Sequence, residues 1–166
     1  MAITIRKALS EDAADFARCR IKCMQSAYKG IMPDEYLQNL TAEEDKYVKR
    51  YEKDLSEPST CEFFFAMHSE EIVGFLIVDT ADCEIWAVYL TEAFWGKGYG
   101  KQLLDFAVER LAPVSKGEIS LWVLAENLRA RRFYEKHGFA FNGAKREMQY
   151  GTALIALKYV LDVGDE

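Results

Sequence analysis

Six residues, Trp95-Gly96-Lys97-Gly98-Tyr99-Gly100, stand between a segment patterned as a strand and one patterned as a helix, and they restrict this chain more than any other stretch. The preceding segment, Glu84-Ile85-Trp86-Ala87-Val88-Tyr89-Leu90, is rich in β-branched and aromatic residues; the following one repeats apolar residues at Leu103, Leu104, Ala107, Val108 and Leu111. The predicted order is strand, glycine turn, helix. Glycines let backbone N–H groups approach a ligand unobstructed, and a helix N-terminus adds unpaired donors and a positive dipole end, so the turn suits a phosphate. Two familiar phosphate loops fail on spacing. The dinucleotide fingerprint G-x-G-x-x-G would need glycine three residues beyond Gly98 or Gly100, where Lys101 and Leu103 stand. The P-loop around Gly100-Lys101 would need glycine and Ser or Thr where Trp95 and Gln102 stand. Any phosphate is therefore held mainly by main-chain amides, with Lys97 and Lys101 as helpers. By itself the turn reads first as a plain glycine-rich strand-to-helix connection.

A second constellation lies thirty residues on: Asn127-Leu128-Arg129-Ala130-Arg131-Arg132-Phe133-Tyr134-Glu135-Lys136-His137-Gly138-Phe139. Asn127 suits an N-cap, Lys136 and His137 suit the negative helix end, and Gly138 suits the left-handed residue that stops the helix. Glu118-Ile119-Ser120-Leu121-Trp122-Val123-Leu124-Ala125 reads as a strand before it, so the middle of the chain is a βαβ unit followed by a short helix.

Together these residues resemble the GNAT superfamily of acyl-CoA-dependent N-acetyltransferases. Gly98 and Gly100 match the family's cofactor loop [Gln/Arg]-x-x-Gly-x-[Gly/Ala], with Trp95 departing from its polar first position. Asn127, Ala130, Tyr134, Gly138 and Phe139 match its motif Asn-x-x-[Ala/Ser]-x-x-x-Tyr-x-x-x-Gly-Phe in full. The hairpin Phe63 to Phe75 is similar to the family's central strand pair, and the likeness covers roughly residues 3 to 160. It implies an α+β fold: a mixed, mostly antiparallel sheet of about seven strands with splayed parallel strands 4 and 5, flanked by about four helices. It also implies that acyl-CoA enters the splay, its pantetheine arm against the backbone of Val88, Tyr89 and Leu90 and its pyrophosphate on Gly96, Lys97, Gly98, Tyr99, Gly100 and Lys101. Asn127 has two compatible readings, a helix cap and a contact to the cofactor.

Acetyl transfer to an amine sets further demands. An alkyl amine with pKa near 10 is about one part in a thousand neutral at pH 7, and only the neutral form attacks a thioester, so a base or a water chain is required. The departing sulfur needs an acid. The resemblance makes Tyr134 that acid and points, more weakly, to Glu84 at the head of its strand as the base. Without the resemblance, Tyr134 reads as helix packing and Glu84 as a solvated edge charge. Of the run Arg129, Arg131 and Arg132, one arginine is available to the 3′-phosphate of coenzyme A, and the sequence does not choose which. The aromatic turn from Tyr28 to Tyr36 is either a wall of the acceptor site or a plain corner.

With 166 residues, half of them hydrophobic, the chain suits one domain, residues 1–166. Its formal charge of -6 argues against a nucleic-acid partner, and no apolar stretch reaches the roughly 18 residues of a membrane span. No signal-peptide pattern opens the chain, so the expected compartment is the cytoplasm. Cys19, Cys23, Cys61 and Cys83 make no C-x-x-C pair and His68 and His137 stand far apart, so no metal site is expected; Cys19 and Cys23 read as packing on one helix face. His68 reads as a hairpin-turn residue and His137 as a helix terminus. Ser10 is expected to cap a first helix from Glu11 to Tyr28 with Phe16, Cys19, Cys23 and Ala27 on its apolar side. Three functions remain: acetyl transfer from acetyl-CoA to a small-molecule amine, for example a polyamine, or to a peptide amine; transfer to a protein N-terminus or lysine; or a non-catalytic acyl-CoA-binding module. A homodimer is compatible with any of them.

Overall fold

The computed structural model of the chain describes residues 2–164. Strand β1 (Thr4–Lys7) precedes helices α1 (Ala13–Ala27), α2 (Asp34–Asn39) and α3 (Glu44–Ser56). Then come β2 (Cys61–His68), β3 (Glu71–Asp79), β4 (Glu84–Leu90), α4 (Tyr99–Leu111), β5 (Glu118–Leu124), α5 (Leu128–Lys136), β6 (Ala140–Gln149) and β7 (Ala153–Asp162). The seven strands form one sheet in the order β1-β2-β3-β4-β5-β7-β6, and only β4 and β5 are parallel. This is the architecture expected from the resemblance.

The sheet separates two apolar layers, and the run Phe63-Phe64-Phe65 shows how. Side chains alternate across a strand, so Phe63 and Phe65 pack with Phe16, Cys19, Cys23 and Tyr51 beneath α1 and α3. Phe64 faces the other way, onto Leu103, Leu104, Ala107 and Leu111 of α4. Phe64, Leu76 and Val88, read as the centres of three meander strands, lie in register across β2, β3 and β4.

One irregularity shapes the site. Ile77 pairs with Ala87 and Val78 with Ile85, so Trp86 is an extra residue bulged out of β4. A bulge bends its strand and sharpens the local twist. Here β4 pairs with β5 only at Glu84↔Ser120 and Ile85↔Leu121, while β5 runs on beside β7 as far as Leu124↔Ala156. Beyond Ile85 the sheet is open.

Ser10 is not a cap. A 3-10 turn, Ser10–Asp12, precedes α1, and the Asp12 carboxylate accepts the Leu9 N–H at 2.8 Å and Arg6 Nη1 at 3.0 Å. Two donors, one of them charged, draw Asp12 into that turn and shift the helix start to Ala13. The closing hairpin is also longer than the short apolar centres at Ala140-Phe141 and Leu154 to Val160 announced. β6 is an edge strand exposed along nearly all its length, so burial imposes no alternation on its sequence.

Candidate active site

The opening between β4 and β5 is one cleft of about 790 Å³ that reaches from the glycine turn to α1 and α3. Its floor is main chain. The Thr91 N–H bonds the Val73 carbonyl at 2.8 Å, and antiparallel alternation then turns the N–H and C=O of Tyr89 to β3 and those of Val88 and Leu90 to the opening. The Leu90 carbonyl is already engaged, at 2.9 Å, by the Trp95 indole N–H. Of the three residues expected to supply backbone, Val88 and Leu90 face the gap. Tyr89 brings its side chain, stacked on Phe75 with ring centroids 5.1 Å apart.

The glycine turn has two left-handed residues, Gly96 at φ 70° and Gly98 at φ 84°, and a Cβ on either would meet nothing within 4 Å. Gly98 is the N-cap of α4. The amides of Tyr99, Gly100 and Lys101 therefore begin that helix without intrahelical acceptors, beside open space. Gly100 does something different: a Cβ there would stand 3.3 Å from the Phe133 ring, so its hydrogen lets α4 and α5 approach closely. The Tyr99 side chain is buried against His68 and Phe94 and offers the cleft only its backbone. Lys101 holds Asp105 at 2.6 Å, and Lys97 lies over the Phe94 ring.

α5 starts where the sequence indicated. Asn127 Oδ1 accepts the Ala130 N–H at 3.2 Å and Gly138, at φ 95°, ends the helix. The three arginines diverge. Arg131 turns inward to the Tyr159 hydroxyl and the Ala125 carbonyl, both at 2.9 Å. Arg129 lies 3.6 Å from the centroid of the Trp95 ring, leaving it and the exposed Arg132 as the cations of this helix's first turns. Trp95 thus braces the end of β4 and carries Arg129 at the mouth of the cleft. Tyr134 lines the cleft wall and packs on Phe133 and Phe139. Loss of solvent pushes its phenol well above the usual range; the Tyr89 phenol adds to the shift and the Arg129 charge opposes it.

The α1 side is made of side chains. The hydroxyls of Tyr28 and Tyr89 hydrogen-bond to each other, and burial raises both phenols. Arg20 lines the cleft, gives one N–H to the Tyr51 hydroxyl at 3.0 Å and lies over the Tyr47 ring. Glu84 and Asp54 are the two carboxylates of the lining; Asp54 meets Arg50 at 3.7 Å, while Glu84 takes part in no ion pair among the described residues. Glu84 stands at the end where β4 and β5 still pair, three residues or roughly 10 Å of strand from Ala87. Tyr28 is a cleft residue, whereas Tyr36 packs on Tyr150 and against Gly151, so the aromatic turn is partly wall and partly corner. Sequence reading passed over Arg20. Its signal was there: with Phe16, Cys23 and Ala27 it falls on one helical stripe, a cation among apolar neighbours.

Among the described residues no three His, Cys, Asp or Glu gather as a metal-binding group. All four cysteines are free thiols, with Cys19 and Cys23 buried on one face of α1. No helix of residues 2–164 is long and apolar enough to cross a membrane.

The family model described as acetyltransferase (GNAT) family matches residues 24–139. An N-acetyltransferase of Archaeoglobus fulgidus, itself uncharacterised, is 31% identical over 139 residues, covering 78% of this chain and 88% of that protein. A second, from Lactobacillus delbrueckii subsp. lactis, is 34% identical over 86 residues, and there the match spans 46% of this chain and half the relative's length. Among solved structures, PaiA N-acetyltransferase from Thermoplasma acidophilum in complex with coenzyme A has a TM-score of 0.73 at 23% identity, covering 98% of this chain and 99% of that one.

Proposed function

The chain belongs to the acetyltransferase (GNAT) family of acyl-CoA-dependent N-acetyltransferases, and we propose that it moves acetyl from acetyl-CoA to the primary amine of a small molecule or peptide by direct attack on the thioester. Acetyl-CoA lies in the opening between β4 and β5, pantetheine along Val88 and Leu90 and pyrophosphate on the amides from Gly96 to Lys101, with Arg129 and Arg132 nearest the nucleotide phosphates. Gly96 and Gly98 support this, because the space beside them is free where any side chain would stand.

The neutral amine attacks the carbonyl carbon and forms a tetrahedral intermediate. Glu84, directly or through water, takes the proton that frees the amine before attack, and the intermediate's own surplus proton leaves to solvent. Collapse breaks the C–S bond, and the Tyr134 O–H protonates the departing thiolate and later recovers a proton from solvent. The observation that carries the reading is Tyr134 on the cleft wall, whose phenol, like any phenol, holds its proton at neutral pH.

The test is release of coenzyme A thiol from acetyl-CoA across a panel of amines, with N-acetyl product identified by mass, beside a thermal shift with acetyl-CoA alone. Saturation at about a hundred times Kd adds roughly 2.7 kcal/mol of stability. A protein that acetyl-CoA stabilises but that acetylates no amine, peptide or protein would be a binding module; absence of any stabilisation would remove the cofactor site as well.

A further inference from the structure

The whole chain carries a formal charge of -6, yet six arginines and lysines line the cleft against two carboxylates. Lys101, Arg129 and Lys136 belong to the cofactor end, where phosphates account for them. Arg20, Arg50 and Arg146 lie on the acceptor side. Arg50 is matched by Asp54, and Arg146 rests on the Trp122 ring at 4.2 Å in an exposed strand.

Arg20 remains. It is largely buried on α1, no carboxylate of the described residues comes within ion-pair distance, its Nε has no hydrogen-bond partner, and a neutral phenol takes its single hydrogen bond. Burial works against its charge, and its aromatic neighbours include the neutral phenols of Tyr47 and Tyr51, which are weak substitutes for an anion. A buried cation without a counter-charge is costly, and a guanidinium offers five donors in a planar fork shaped for carboxylate. The same wall is poorly suited to a di- or polycation: Glu84 alone offers an unpaired carboxylate.

Resting on the N-acetyltransferase reading above, we infer that the acceptor is a primary amine that also bears a carboxylate, an amino acid in chemical class, with Arg20 taking the carboxylate while the amine faces the thioester. Arg20 is a specificity residue that touches substrate and is not an acid or base in the reaction. Tyr28 and Tyr89, whose hydroxyls hydrogen-bond to each other, line the same cleft as Arg20 and Tyr134.

The experiment measures kcat/KM with acetyl-CoA for ω-amino acids from glycine to 6-aminohexanoate, each beside the alkylamine and the diamine of equal chain length, with phosphoethanolamine as a separate anionic arm. At the preferred length the amino acid is expected to exceed both partners at least tenfold. In Arg20→Gln that preference falls by roughly 10- to 150-fold, mostly through KM, as loss of a charge-assisted contact requires; Arg20→Lys restores part of it. Retained stabilisation by acetyl-CoA shows that each variant is folded, and if none folds, the preference of the unaltered enzyme decides alone. Diamines or alkylamines preferred at every length, or an amino-acid preference unchanged in folded Arg20→Gln, overturns the inference while leaving the enzyme intact. A preference for phosphoethanolamine over all the amino acids overturns the carboxylate. No thiol release with any amine removes the enzyme reading, and this inference falls with it.

Discussion

Along one side of the cleft, Gly96, Gly98, Val88 and Leu90 present main chain; along the other, Arg20, Tyr28, Tyr51 and Tyr89 present side chains from α1, α3 and β4. The first arrangement suits a constant ligand. Amides at a helix start and an open strand edge bind through groups every residue has, so what they require of the sequence is freedom from obstruction and the correct φ. The second suits a variable ligand, since each side chain can change while the sheet beneath it stays. Their junction is Tyr134, on a helix that two contacts, Gly100 against Phe133 and Trp95 beneath Arg129, tie to the glycine turn.

If the halves are separable in this way, damage at the junction should fall on rate, damage to the turn on cofactor affinity, and damage to the bracing on little. Tyr134→Phe has the largest expected effect: kcat falls roughly 10²- to 10⁴-fold with acetyl-CoA affinity nearly unchanged, read by steady-state kinetics and calorimetric binding. An unaltered kcat across neutral pH breaks the acid assignment. Because its phenol is raised above the ordinary value near 10, the acid form persists in the unaltered enzyme and kcat shows no alkaline fall up to about that pH. The linked stability has the same sign: the unfolded chain releases this proton first, so the contribution is complete below about pH 10 and is lost as pH rises through the higher folded value.

Gly98→Ala forces a Cβ onto φ 84°, costing about 1–2 kcal/mol. Its expected signature is a lower Tm and roughly tenfold weaker acetyl-CoA binding, with kcat at saturation largely kept. A lowered kcat at full saturation would show that the turn also positions the thioester. Glu84→Gln is expected to lose roughly tenfold in rate at pH 7 and to recover as the free amine deprotonates toward pH 10; a flat, parental pH profile refutes the base role. The smallest effect is that of Trp95→Gln, which installs the family's polar residue. It removes the bond to the Leu90 carbonyl and the stack with Arg129, together about 1 kcal/mol of stability, and should leave the acetyl-CoA KM within about threefold. A tenfold change would mean that Trp95 contacts the cofactor itself.

The glycine turn, the Asn127 cap and the Gly138 stop were legible because each is a local requirement written in residue type: φ above zero, a side-chain acceptor, a left-handed exit. The meander was legible because alternating burial on two faces leaves its mark at Phe63, Phe64 and Phe65. Asp12 displaced Ser10 because its carboxylate takes both the Leu9 N–H and the Arg6 guanidinium, a pairing of near neighbours that the residue type at Ser10 does not report. β6 was underestimated because an exposed edge strand has no buried face to pattern.

What the chain determined by itself was the alphabet of the cofactor side, since backbone geometry depends on glycine, cap and strand character at fixed spacing. Only the tertiary structure decided which side chains share the cleft. Arg20, Tyr51, Tyr89 and Tyr134 come from four elements, and their meeting depends on how helices dock on a sheet that the Trp86 bulge has turned open. Residue types report what each segment prefers locally, whereas charge without a partner, as at Arg20, becomes visible only when every neighbour that might have supplied one is in place.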